Sequence, residues 1–233
     1  MFLEVDIKEA GYSPDSPVLQ DTKFSIHSGE LVGLIGPNGA GKSSTIKSIL
    51  GILSDVKGKI TVSEYAYIPK RPIFYEGLTL WEHIDFLFST LHVDEKQFNE
   101  KANELLKLFH LSSVIHHYPT SFSKGMQQKV MLILAFLKQP DLYIIDEPFM
   151  GLDPKAMNKL LQMIKKEKEK GAGILMCTHV LDTAEKICDR FVLVSNGKLI
   201  IEGTLDDIRK ESGLKQGSLL DCFDVLTESE NDD

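Results

Sequence analysis

Cysteine is scarce in this 233-residue chain. Its three residues, Cys177, Cys188 and Cys222, are odd in number and form no C-x-x-C pair, which excludes a disulfide framework and a four-cysteine zinc site. That usage fits a reducing cytoplasm. Long apolar runs are also missing. The longest, Val130 to Leu137, is far below the roughly 18 to 20 residues that span a bilayer, and no charged start followed by an apolar stretch resembles a signal peptide. The chain is therefore expected to be soluble and to enter no membrane unaided. An excess of basic residues is lacking too: 26 Lys and Arg stand against 34 Asp and Glu, a net charge of −8. Nucleic-acid binders carry a basic field, so no nucleic-acid partner is expected.

What is present is ordinary for a globular protein: 42% hydrophobic, 26% charged and 8% aromatic residues. At about 150 residues per domain, the length predicts one large domain with a subdomain. The segments 2–8, 19–26 and 30–35 read as strands, separated by turn clusters such as Gly11 to Asp15 and Ser28-Gly29. A helix is predicted over 42–50, then short strands near 59–62 and 65–68, with Pro69 and Pro72 closing the extended stretch. From about Thr79 to Lys138 the period changes. Trp81, Ile84, Leu87, Phe88 and Leu91 recur at helical spacing, as do Phe98, Ala102, Leu105, Leu106 and Phe109, which predicts an inserted helical subdomain with these stripes in its core.

After Pro140 the β/α alternation returns, with strands at 142–145, 173–177, 190–194 and 198–202 and helices at 154–170 and 180–187. The expected architecture is an α/β parallel sheet core with an N-terminal antiparallel β subdomain and an inserted α-helical subdomain. The core comprises 1–72 and 140–208, the helical part 73–139, and an acidic extension 209–233. The stretch from Leu219 to Asp233 holds six acidic residues and no basic one, so its end reads as a frayed acidic tail.

Gly36-Pro37-Asn38-Gly39-Ala40-Gly41-Lys42-Ser43, followed by Ser44, fits G-x-x-x-x-G-K-[ST] between an apolar strand and an apolar-periodic helix. Glycines let such a loop wrap a polyphosphate with converging backbone N–H groups, and the helix N-terminus adds a favourable field. Lys42 is placed for the β- and γ-phosphates, and Ser43 for Mg²⁺. Leu142 to Glu147 is an apolar strand ending in two carboxylates, costly to bury unless a metal, water or partner uses them. Since neighbouring strand residues point to opposite faces, Asp146 is expected towards the Mg²⁺ shell and Glu147 towards a water at the γ-phosphate. Phe122-Ser123-Lys124-Gly125-Met126 opens a helix with a Ser N-cap and a Gly, and Gly151-Leu152-Asp153 and Thr178-His179 follow later.

Together these stretches, in this order over about residues 2 to 208, resemble the nucleotide-binding subunit of ATP-binding cassette (ABC) transporters. The resemblance implies a core of the P-loop NTPase (RecA-like) type and an ATPase that dimerises head to tail around two ATP molecules and drives a separate multi-span permease, reaching the cytoplasmic face of the membrane only through it. It also implies roles. Tyr12 stacks on adenine, and Ser123 and Gly125 grip the γ-phosphate bound by the opposite subunit. Glu147 is the catalytic carboxylate, Asp153 the D-loop acid at the dimer interface, and His179 the switch histidine at the γ-phosphate. Tyr67-Ile68-Pro69, Tyr75 to Leu80 and Tyr143 to Phe149 are similar to Ecs-type ATPases of Gram-positive bacteria, with drug- and lantibiotic-exporter ATPases as the near alternative.

Three departures stand out. Lys70 occupies the Q-loop place where most relatives carry Gln, and an ammonium is a donor only, unable to ligate Mg²⁺. Lys124 and Met126 replace the usual Gly and Gln of the signature. The segment between Ile52 and Tyr67 is short, so the hairpin beside the nucleotide is expected to be trimmed. A soluble ABC-type ATPase with a non-membrane partner is the alternative function, and a small-molecule kinase would not need FSKGM, GLD and His179 together. Cys177, His179 and Cys188, or His116 and His117, have no recognised metal-ligand spacing.

Overall fold

The computed structural model describes residues 1–228. Nine strands form one sheet: β1 (Leu3–Gly11), β2 (Pro17–Ile26), β3 (Leu31–Ile35), β4 (Asp55–Val62), β5 (Tyr65–Ile68), β6 (Leu142–Asp146), β7 (Gly173–Thr178), β8 (Arg190–Ser195) and β9 (Lys198–Gly203), in the order β4-β1-β2-β9-β8-β3-β7-β6-β5. From β8 to β5 the pairing is parallel, as predicted, whereas β4-β1-β2 and β8-β9 pair antiparallel. β3, β6 and β7 are buried along their whole length. Strands covered on both faces read as continuous apolar runs rather than as an alternation.

The two faces of β6 go to different cores. Tyr143 and Ile145 join the cluster containing Ile133, Phe136 and Leu160, whereas Leu142 and Ile144 join the one containing Ile46, Ile49, Val32 and Leu175. The first cluster is roofed by α4 (Lys124–Lys138) and α5 (Pro154–Glu169), the second by α1 (Lys42–Ile49). Each Leu or Ile fully buried in this way contributes about 1.5 to 3 kcal/mol. Leu160 and Ile164 on α5, and Val130 and Ile133 on α4, therefore fix both helices on the face of the sheet that carries Tyr143 and Ile145.

The insertion is helical as predicted: α2 (Leu80–Ser89), α3 (Glu95–Leu108), two short 3₁₀ turns and α4. Thr79 and Glu82 form a capping box at α2, and Asp94 caps α3 by accepting from the Gln97 N–H. Ile84, Phe98, Ala102, Leu105, Leu106 and Phe109 are buried. β4 begins four residues earlier than the expected 59 because Asp55 to Lys57 pair with Gly11 to Glu9 of β1. It is a full eight-residue edge strand, so the shortness of the segment does not truncate it.

Within the acidic extension the structure adds a helix that the sequence reading did not predict. Leu219–Glu228 forms α8, whose Leu219, Cys222, Phe223 and Leu226 recur at i, i+3, i+4 and i+7. They pack with Ala184 of α6 (Leu181–Ile187) and Ile208 of α7 (Leu205–Ser212). The acidic count concealed this apolar stripe, because the acids occupy the other face. The rest of the expected tail, 229–233, lies outside the described residues.

Candidate active site

β3 stops at Ile35, and the chain turns through Gly36 to Gly41 into α1. Gly41 sits at φ +108°, a left-handed conformation open to glycine and strained for other residues, and no side chain caps the helix it begins. Its first-turn N–H groups thus lack intrahelical and side-chain acceptors, at the wall of a cavity lined by Asn38, Gly39, Gly41, Lys42, Ser43 and Ser44. Val18, Lys70, Asp146 and Glu147 complete the lining. The Lys42 ammonium donates to the carbonyls of Gly36 (2.6 Å) and Pro37 (2.8 Å), bent back over the loop. Burial is the main influence that lowers its pKa, opposed by the Glu147 and Asp146 carboxylates.

The expectation that Asp146 and Glu147 face opposite ways does not hold. β6 ends at Asp146, and Glu147 takes a left-handed backbone at φ +50°, its N–H donating to the Cys177 carbonyl at 2.9 Å. That turn returns the side chain to the same cavity. The two carboxylates are 6% and 4% exposed. Burial, then the neighbouring Glu147 charge, raise the Asp146 pKa, while Lys70 and Lys42 pull it down. Glu147 Oε1 lies 2.8 Å from Nδ1 of His179, which follows β7. The sequence carried the pairing only through family order, since 32 residues separate the partners.

The donor chemistry suits a small divalent cation: the Ser43 hydroxyl and the Asp146 carboxylate are hard oxygen ligands on one cavity, and negative charge buried there is unfavourable until a cation balances it. Among the described residues no cluster of three or more His, Cys, Asp or Glu could hold a metal by itself. Cys177 is buried in β7 with its thiol pKa pushed well up by desolvation, away from metal-ligand chemistry.

Other expected residues lie apart from the cavity. Tyr12, just beyond β1, is 57% exposed, and its hydroxyl accepts from Lys47 of α1 at 2.9 Å. The Lys47 ammonium is 5.0 Å from the ring centroid, which fixes the ring beside the helix that follows the loop. Ser123 caps α4, accepting from Met126 N–H at 3.4 Å. Gly125 packs on Gly151: a Cβ there would stand 2.5 Å from the Gly151 carbonyl oxygen. Asp153 caps α5 through Ala156 N–H at 2.9 Å and accepts from Lys129 of α4 at 3.0 Å. Neither Lys47 nor Lys129 was singled out from the sequence, because an isolated lysine on an amphipathic helix looks like any solvated one.

A family model described as ABC transporter matches residues 19–150, and the chain belongs to that family. Within it the class is the ATP-binding subunit, an ATPase. The chain is 57% identical to the ABC transporter ATP-binding protein YthP of Bacillus subtilis (strain 168), over 95% of this chain and 94% of that one. It is 41% identical to the ABC-type transporter ATP-binding protein EcsA of the same organism, over 98% and 97%. A solved ATP-binding subunit of an ABC transporter superposes with a TM-score of 0.93 at 44% identity, covering 97% of this chain and 100% of that one. The cbiO1 protein of Clostridium perfringens, 20% identical with a TM-score of 0.74 over 90% and 91%, shares the fold.

Proposed function

We propose that this subunit binds ATP with Mg²⁺ in the cavity at the start of α1, and that two copies close head to tail over two nucleotides. Hydrolysis then reopens the pair and moves a separate multi-span permease, of an Ecs-type or related exporter, from the cytoplasmic face of the membrane. The observation that carries this reading is the convergence of uncapped α1 amides, Lys42, Ser43, Asp146 and Glu147 on one cavity, with His179 held against Glu147. The amides and Lys42 hold the phosphates. Ser43 and Asp146 hold the metal, which supplies charge neutralisation at the β- and γ-phosphates when bound. Glu147 accepts a proton from, or orients, the attacking water, and His179 holds that carboxylate in place. Ser123, Gly125 and Asp153 face the partner's nucleotide across the dimer, and Tyr12 receives the adenine.

No helix among the described residues is long and apolar enough to cross a membrane, and the proposal places the transport path in a separate permease. Its seat is the apolar groove of Ile73, Phe74, Tyr75, Phe86, Leu87 and Met131, where Ile73 is 77% and Tyr75 61% exposed. Exposed apolar side chains gathered in this way mark interaction surfaces. Purification of the tagged full chain from membranes tests the reading. The expected result is co-purification of a multi-span protein, lost on Ile73→Asp with Phe86→Asp. Recovery of soluble partners alone would favour the non-membrane ATPase and refute the permease.

A further inference from the structure

We propose that Lys70 is a second phosphate-facing cation of the site, sharing with the metal the neutralisation of nucleotide charge and so making nucleotide binding less dependent on Mg²⁺. This rests on the ATP reading above. Two lysines line the cavity, and they differ in freedom. Lys42 is 8% exposed, with its ammonium committed to the carbonyls of Gly36 and Pro37. Lys70 lies just after β5, is exposed, and forms no ion pair among the described residues. Yet its charge pulls down the pKa of both Asp146 and Lys42, with which it lines the cavity. An ammonium on a four-carbon stem is a mobile point charge with three donors and no acceptor. It cannot ligate a metal. Its available partners in this cavity are the Asp146 and Glu147 carboxylates and, once nucleotide enters, the phosphate oxygens.

A polyphosphate brings several negative charges towards two buried carboxylates, and the repulsion must be offset by cations. A metal and Lys70 on the same oxygens do partly redundant work. With the metal removed, Lys70 still offsets part of the repulsion. With Lys70 removed, the metal becomes correspondingly more necessary. The location at the strand end also explains the choice of residue: a neutral amide there would contribute a ligand to the metal but no charge to the phosphates.

The test compares ATP affinity of the full chain by calorimetry in Mg²⁺ and in EDTA, for the parent, Lys70→Met and Lys70→Arg. For a charge at a solvent-exposed rim, the ratio of Kd in EDTA to Kd in Mg²⁺ should rise by about five- to tenfold in Lys70→Met. Lys70→Arg should restore the parent ratio, because it keeps the charge, and the effect should shrink as salt is raised. An unchanged ratio in a Lys70→Met protein that still binds ATP overturns this proposal alone. If the parent binds ATP in neither condition, the ATP reading falls and takes this one with it. Lys70 is exposed and outside every core cluster, so Lys70→Met should melt at the parent temperature; a lowered melting point with a proportionate loss in both conditions would also count against a phosphate role.

Discussion

Replacing Glu147 by Gln is the sharpest perturbation of the proposed chemistry. The change preserves volume at a position 4% exposed, so packing around β6 and β7 should survive. It also leaves an oxygen for His179 Nδ1, now 2.8 Å from Glu147 Oε1. What disappears is the negative charge and the ability to take a proton. A positioned general base contributes roughly 10² to 10⁴ in rate, which is about 3 to 5 kcal/mol of barrier. Nucleotide affinity should fall little, because the α1 amides, Lys42 and Ser43 are untouched and removal of one carboxylate relieves repulsion of the phosphates. Steady-state turnover beside gel filtration in MgATP reads both quantities, with the variant expected to accumulate as an ATP-bound dimer. Lys42→Ala is the contrast: it should lose binding itself, since its ammonium sits among the loop carbonyls at 2.6 and 2.8 Å. Parent-rate hydrolysis by Glu147→Gln would refute the assignment and require another group to position the water.

Gly125→Ala should place a methyl 2.5 Å from the Gly151 carbonyl oxygen, an overlap that the backbone must relieve. Overpacking of this kind costs about 1 to 3 kcal/mol. Thermal melting should show the loss, while ATP affinity of the monomer is kept because Gly125 does not line its cavity. The Asp153 carboxyl, held down to about 2 first by the Ala156 N–H and then by Lys129, gives a pH dependence. A depressed folded-state pKa contributes stability that is complete above the unfolded value of about 3.9 and is lost as pH falls towards about 2. Asp153→Asn retains an N-cap acceptor but should flatten this part of the stability profile between pH 4 and 2, read by denaturant melts; an unaltered slope would show that the cap carries no such linkage.

Much of this was legible in the sequence because local and global signals agree. The run from Leu31 to Ile35, the glycine loop and the periodic start of α1 each specify their own conformation, and together they leave little freedom for the cavity they build. The helical insertion was readable from its stripes and from the Ser123 cap of α4. Period-two reasoning failed at Glu147, where one left-handed residue ends the strand and reverses the side chain. Nothing in the local composition announces such a turn at a non-glycine position. The helix α8 went unread, since charge counts ignore which face bears the charge. The pairing of Lys47 with Tyr12, and of Lys129 with Asp153, joins elements distant in sequence, and side-chain reach across a fold has no sequence period.

The approach of Gly125 to Gly151 has a mechanical meaning for the proposed dimer. Gly151 lies four residues beyond Glu147, and the intervening chain is tightened by the bonds from Met150 N–H to the Glu147 carbonyl and from Leu152 N–H to the Phe149 carbonyl. On the other side of the contact, Gly125 lies in the first turn of α4, which Lys129 ties to Asp153. Gly125 and Glu147 are thus joined through a short stretch of chain. In the proposed dimer, a displacement of α4 on gripping or releasing the neighbour's phosphate would be passed along this stretch to Glu147. Each cassette would then work as a lever whose two ends serve different ATP molecules, and the two sites would keep time with one another without a separate timing element.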